Sequence, residues 1–384
     1  MKKKIIFIIC IVLLSVSVSK LYSQKIAGFR ASRILQSYPN RQFPSADYWA
    51  NVGESISKKF TGFNPGGVWI VSLCLDDGDT QFGFPSDGMS IPNVEFISVD
   101  WNEDYLTKFD KEGVKVWLQV EPGAANVDTL IDVVLNRYKK HSCVAGFGID
   151  VEWLDGIKVS GGRYVNDAEA QRWEAKVKAV DSSYTLFLKH YSPKWMPPVY
   201  RGSILFVDDS QGFTSYNEII SEFKAWGNKF PKNNVAFQFG YAADKSIWSK
   251  YSDPMLQIGG DLIKQIPNCA ALFWVDFTIT QLFPVTAVNN NNRENFSFKL
   301  NQNYPNPFNP STIISYELKE KTNVSLKIYD MLGRELITLV NGEQNAGLYE
   351  ISFANNSNKL ASGTYIYRLV SKNFSESKKF TILK

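Results

Sequence analysis

Histidine and cysteine are scarce, with two and four copies in 384 residues. Once Cys10 in the N-terminal apolar stretch is set aside, Cys74, Cys143 and Cys269 remain, each in or beside an apolar run. That is too few for a disulfide scaffold or a zinc cluster, so three buried free thiols are expected and neither a metal nor a cofactor is. Long apolar runs are lacking too. Residues 5–14 are apolar, follow Lys2, Lys3 and Lys4, and precede a small and polar zone at residues 19–24. Ten residues are too few to span a bilayer but suit a secretory signal over residues 1–24, and no later stretch approaches a span. An excess of one charge is also missing. Residues 1–24 hold four of the 42 basic residues and none of the 38 acidic ones, so the rest of the chain is balanced at 38 of each. A neutral mature chain gives no electrostatic reason to expect nucleic acid as a partner.

What is present divides in two. A polar, low-complexity stretch at residues 289–295, NNNNREN, separates two textures. The expected organisation is a signal at 1–24, a catalytic domain at 25–288, a linker at 289–299 and an all-β domain at 300–384. In the first domain eight short apolar runs recur: residues 68–75, 95–99, 114–121, 144–152, 184–189, 203–208, 235–240 and 270–276. Between several of them lie segments of helical periodicity, such as DAEAQRWEAKVKAV from Asp167 and SYNEIISEFKAWGNKF from Ser215. Strands alternating with helices predict a parallel sheet, and eight predict a (β/α)8 barrel. Residues 25–66 are expected to form a helix closing its base.

The fourth run, in CVAGFGIDVEWLDG, ends in two acids. Period-two alternation puts Gly146, Gly148, Asp150 and Glu152 on one face and Ala145, Phe147, Ile149 and Val151 on the other. The apolar face must pack under helices, so the glycines and acids face the barrel axis, with the acids at the C-terminal mouth where barrel active sites lie. The same reasoning brings Asp76, Asp100, Gln119, Glu121, Lys189, Asp208 or Asp209, Gln238, Tyr241, Trp274 and Asp276 to that mouth. Converging acids around one lysine are costly to bury as mere packing. Asp150, Glu152, Asp208 and Asp209 are the candidate catalysts and the others candidate substrate contacts. Trp101, Trp153, Trp195, Trp248 and Trp274 lie near strand-to-helix loops, where indole rings can stack on sugar faces.

Two carboxyls with different pKa values are what glycoside hydrolysis requires. A glutamate pair on the fourth and seventh strands is disfavoured because the seventh, VAFQFGY, has no acid. Asp150 with Asp208 or Asp209 remains open, whereas Lys189 at the end of the fifth strand speaks against an amylase-like arrangement. Two other classes stay open. Glu121, Asp150 or Glu152 and Lys189 could serve a lyase or isomerase with a divalent ion and a lysine base, or the barrel could bind sugar without cleaving it.

GFGIDVEW, together with Trp274 in LFWVD, resembles glycoside hydrolase family 18, whose fourth strand ends in D-G-x-D-x-D-x-E. Gly146, Asp150 and Glu152 match. The resemblance implies that Glu152 is the general acid and Asp150 its supporting neighbour, while Ala145 and Gly148 replace the first two aspartates of the pattern.

Beyond residue 300, alternating segments such as ISYEL, VSLKIYD, ELITLV, YEISF, TYIYRLV and SKKFTIL predict a small β-sandwich of Ig-like type. YPNPFNP, VSLKIYDMLGREL, GLYEISF, LASGTYIYRL and the terminal KKFTILK resemble the C-terminal sorting domain of type IX secretion substrates of Bacteroidetes. The resemblance implies passage through the outer membrane, the secretion machinery as partner, and a secreted or surface-held product. It implies nothing about the barrel's substrate, which the acid ring suggests is a carbohydrate.

Overall fold

The computed structural model describes residues 25–156, 162–285, 298–303, 306–308, 311–355, 360–372 and 374–382. The expected signal and residues 289–297 of the expected linker lie outside the described residues.

In chain order the first domain contains strands β1 (Lys25–Ala31), β2 (Phe63–Cys74), β3 (Thr80–Phe82), β4 (Val94–Phe96), β5 (Lys115–Val120), β6 (Val144–Asp150), β7 (Thr185–Lys189), β8 (Leu205–Asp208), β9 (Val235–Phe239) and β10 (Cys269–Val275). Eight of them, β1, β2 and β5 to β10, pair in parallel. The ring closes where β1 pairs with both β2 and β10. The helices are α1 (Ala46–Ser57), α2 (Glu103–Glu112), α3 (Val127–Tyr138), α4 (Asp167–Val180), α5 (Tyr216–Lys229), α6 (Lys245–Trp248), α7 (Pro254–Gln265) and α8 (Asp276–Leu282). Their starts follow local chemistry. Asn166 and Glu169 form a reciprocal capping box at α4, and Ser215 caps α5. Between β7 and β8 the described connection has only a single 3-10 turn, Pro193–Trp195.

The expected barrel is therefore present, but two of its parts are exchanged. Residues 25–66 hold barrel strand β1, helix α1 and the start of β2; they do not form a basal helix. The run at 95–99 is not a barrel strand. Glu95 and Phe96 belong instead to β4, which pairs with β3, itself folded back antiparallel on β2, so both lie on a ribbon beside the barrel.

Alternation sorts the barrel's side chains. Phe147, Ile149, Leu186, Leu188, Phe206, Phe237, Phe239 and Leu272 pack in the core between sheet and helices. Ile26, Val68, Ile70, Trp117, Phe187, Leu205, Val207, Ala236 and Phe273 form the separate core inside the barrel. Gly148 is required there, since a Cβ at that position would lie 2.0 Å from Cζ of Phe187, the large ring that fills the space beside it. These apolar layers close the barrel below and leave its polar residues at the C-terminal end.

The second domain is antiparallel and all β: β11 (Lys299–Leu300), β12 (Ser311–Leu318), β13 (Thr322–Tyr329), β14 (Glu335–Gln344), β15 (Gly347–Ala354), β16 (Gly363–Ser371) and β17 (Phe374–Ile382). They form sheets of order β11-β12-β15 and β14-β13-β16-β17. One core joins the sheets, with Ile314, Tyr316 and Phe353 from the first meeting Leu326, Tyr367 and Phe380 from the second. Among the described residues no helix is long and apolar enough to cross a membrane. Cys74, Cys143 and Cys269 are free thiols, the last two buried.

Candidate active site

At the C-terminal ends of the barrel strands one buried cation organises the centre. Lys189, the last residue of β7, places Nζ 2.8 Å from Oδ2 of Asp150 and also pairs with Oδ2 of Asp209. Register explains the first contact, because Asp150 and Lys189 are paired positions on β6 and β7. Burial alone would favour the neutral amine, but Asp150 and Asp209 outweigh it and hold Lys189 charged, its pKa well above the ordinary value. Asp150 is pushed up by burial and by Asp209, against the pull of Lys189. The Tyr241 hydroxyl donates to Asp209 Oδ2 at 3.4 Å, and Gln119 Nε2 donates to Asp150 Oδ2 at 3.3 Å.

Two glutamates flank this group. Glu121 follows β5 and accepts at 3.0 Å from the backbone N–H of Cys74. Burial, then repulsion from Asp150, raises it to about 7 against the opposing effect of Arg30 and Lys189. Glu152 does not continue β6 as alternation implied. The strand ends at Asp150 and the chain enters a 3-10 turn, Val151–Trp153, that leaves Glu152 half-buried. Burial raises its pKa to about 7; Asp150 and Asp209 add to this while Lys189 and Arg30 oppose it. A carboxyl poised there can hold or release a proton near neutral pH.

Sequence reasoning missed Arg30. Its Nη1 donates to Asp276 Oδ1 at 2.7 Å and its guanidinium lies 4.8 Å from the Phe277 ring centre. Asp276 also accepts from the N–H and hydroxyl of Ser32 and from the Tyr38 hydroxyl, each at 2.7 Å, so it anchors the rim. Ser72 on β2 was missed as well. Reading KIAGFRA as a strand would have put Ile26, Gly28 and Arg30 on one face and found the arginine.

Several expected members lie elsewhere. Asp208 and Asp209 point opposite ways: Asp208 accepts from the N–H and hydroxyl of Ser210, at 2.9 and 2.6 Å, and feels the charge of Glu222 on α5, so it faces the helices. Trp274 does not reach the mouth. It is fully buried between sheet and helices against Phe239 and Trp248, with Nε1 donating to Thr278 Oγ1, because Phe273 takes the inward position. Asp100 lies before α2, where it accepts from the N–H groups of Asn102 and Glu103 and pairs with Arg137 at 2.8 Å. Asp76 is exposed in the turn after β2. Trp248 is buried with Nε1 on the Tyr241 carbonyl, Trp195 stacks on His190, and Trp101 lies under Arg33. Only Trp153 of the five is exposed.

Polar atoms without partners concentrate in this group. They include Asp150 Oδ1, Asp209 Oδ1, Gln119 Oε1, both amide atoms of Gln238 and Ser72 Oγ. Native proteins leave few such atoms unmade, and a cluster of them calls for an explanation beyond packing.

A search of curated proteins finds no match. Among solved structures the chain is similar to an FMN-binding β-glucuronidase from Facaelibacterium prausnitzii L2-6, with 11% identity, 95% of this chain and 57% of that one covered, and a TM-score of 0.41. It is similar to a putative β-galactosidase from Bacteroides fragilis, with 12% identity, coverage of 93% and 54%, and a TM-score of 0.35. The chain spans little more than half the length of either, and TM-scores this low transfer no activity to it. The latent PorU of Porphyromonas gingivalis matches over 22% of this chain and 9% of its own, with 21% identity and a TM-score of 0.19. Residues 302–383 match the family model described as "Secretion system C-terminal sorting domain". This C-terminal segment is therefore a type IX secretion sorting domain, and the protein that carries it is exported, to be secreted or held at the cell surface.

Proposed function

We propose that the barrel hydrolyses glycosidic bonds, with Glu152 as general acid. The observation that carries this reading is a half-buried carboxyl at the mouth, raised to about 7, beside the ionic group Asp150–Lys189–Asp209. Glu152 protonates the departing glycosidic oxygen, and the anionic group beneath it faces the positive charge that develops on the sugar ring. Asp150 acts through its neighbour: its charge helps keep the proton on Glu152. Asp209, the second carboxylate on Lys189, is the candidate to meet the ring carbon or its attacking water. The match of Gly146, Asp150 and Glu152 to the chitinase-like motif supports the same assignment.

Lys189 weighs against the lyase or isomerase reading. A lysine base must be neutral to accept a proton, whereas two carboxylates keep this one charged. The test is release of aglycone or reducing ends from a panel of aryl glycosides and oligosaccharides by the purified protein, with and without EDTA. Hydrolysis that survives EDTA is expected. No product from any member, or activity abolished by EDTA and restored by Mg2+ or Mn2+, would overturn the proposal.

A further inference from the structure

We infer that Asp110, His141 and Cys143 form a zinc site at the base of the barrel. The site lies away from the mouth, since Cys143 immediately precedes β6, whose other end, about 20 Å along the strand, carries Asp150. The inference is therefore independent of the glycosidase reading.

The two residue types in shortest supply for metal binding meet here with an aspartate. Asp110 stands in the last turn of α2, and His141 and Cys143 stand in the turn between α3 and β6. A carboxylate oxygen, a ring nitrogen and the sulfur all lie within 4.8 Å of one another, and among the described residues this is the one such group of three. Zinc takes oxygen and nitrogen at about 2.0–2.2 Å and sulfur at about 2.3 Å, so the ligand atoms of a tetrahedral site stand about 3.2–3.7 Å apart. Small side-chain shifts bring this set to that spacing. The backbone already fixes the turn: the Cys143 N–H donates to Asp110 Oδ1 at 2.7 Å, the Cys143 carbonyl accepts from the Val116 N–H at 2.9 Å, and the His141 N–H donates to the Tyr138 carbonyl at 2.9 Å.

Hydrogen bonding explains the carboxylate better than the thiol. Asp110 Oδ1 also accepts from Ser142 Oγ at 3.1 Å, and Oδ2 meets His141 Nδ1 at 2.7 Å. Cys143 is 1% exposed, and its sulfur donates weakly to the Leu106 carbonyl at 3.5 Å. On the other side of the imidazole, Nε2 faces Glu103 Oε2 at 3.4 Å, and Glu103 is held by Lys140 at 2.6 Å. A metal-bound histidine has this arrangement, its second nitrogen donating to a carboxylate that fixes the ring. A zinc ion on Nδ1 displaces the hydrogen shared with Asp110, leaves the ring hydrogen on Nε2 toward Glu103, and takes Cys143 as thiolate, whose proton goes to water. Asp110, its side chain 27% exposed, opens the fourth position to a water. Thiolate and imidazole favour zinc over Mg2+ and Ca2+. The ion ties α2 to the start of β6 across 33 residues of chain, so its removal should lower stability and leave turnover at the mouth unchanged.

The test uses the full chain, treated with EDTA, freed of the chelator, and titrated with Co2+ and then Zn2+. Co2+ should give the near-ultraviolet thiolate-to-metal absorption, and Zn2+ should erase it, with a Kd of about 1 μM or tighter. A hundredfold excess of Zn2+ over that Kd should raise the Tm of the barrel by about 5–10 °C, and Mg2+ or Ca2+ should not. Cys143→Ser should abolish the absorption, whereas Cys74→Ser keeps it. Asp110→Asn, at the part-exposed ligand, should weaken Zn2+ binding about 100-fold, and Glu103→Gln about 10- to 100-fold. A bracket of hydrogen bonds alone gives no such absorption. Its absence in the wild type, its persistence in folded Cys143→Ser, or unchanged Zn2+ affinity in Asp110→Asn would each overturn the inference.

Discussion

Replacing Lys189 by methionine keeps the stem and removes the charge. Asp150 and Asp209 then share a buried site with no cation between them. Removing one partner of a buried ion pair costs about 3–5 kcal/mol. Two carboxylates lose their partner here, so a loss near the top of that range is expected at pH 7, out of a typical total of about 5–15 kcal/mol. The sign with pH follows from burial. Without Lys189 the burial that already raises Asp150 is opposed by no paired cation, so stability is retained at pH values below the unfolded pKa and lost as pH rises through the folded one. The deficit should therefore shrink by about half or more between pH 7 and pH 5. Wild-type Lys189 contributes no such slope in that window, since its folded pKa lies well above 10.5. Urea titration followed by tryptophan fluorescence measures this on the full chain, because all ten tryptophans precede residue 275 and report the barrel alone. A loss below about 1 kcal/mol, or one that does not change with pH, would refute the ionic account of the mouth.

Other consequences are more direct. Glu121 and Glu152, both raised to about 7, should make wild-type stability fall as pH rises from about 4.5 to 7. The double replacement Glu121→Gln, Glu152→Gln should flatten that slope in urea titrations, and an unchanged slope would count against both shifts. Asp209→Asn should lower turnover severely while Asp208→Asn, on the helix side, affects stability and leaves turnover of the folded protein near wild type; the reverse pattern would place the reacting carboxylate wrongly. Deleting residues 300–384 should leave the barrel in the periplasm, and normal amounts of truncated protein outside the cell, by immunoblot, would contradict the sorting role of the tail.

Particular elements show what the sequence could and could not convey. The runs that became β2 and β5 to β10 were legible because continuous apolar residues pack on both faces of a parallel strand. Strand β1 was not. Lys25, Gly28 and Arg30 interrupt its apolar pattern, the last two for tertiary reasons absent from the local sequence. A Cβ on Gly28 would lie 1.8 Å from the Gly66 carbonyl oxygen of the neighbouring strand, and Arg30 is tolerated inside because Asp276, 246 residues away, receives it. The run at 95–99 misled for the converse reason, since Phe96 is buried against Phe82 and Phe84 beside the barrel and not within it. At the mouth, alternation located Asp150 and Lys189 but was carried two residues too far, to Glu152, across a 3-10 turn. It could not choose between Asp208 and Asp209, because either could be the last inward residue of β8 until the Lys189 contact identifies Asp209.

The most direct test of the account is turnover by folded Glu152→Gln on any glycoside that the wild type cleaves. The glutamine keeps the size of the side chain and removes its transferable proton. The account predicts a loss of about 10²- to 10⁴-fold in kcat, with ligand binding largely retained. Turnover within a few-fold of wild type would remove Glu152 from the chemistry and contradict the account.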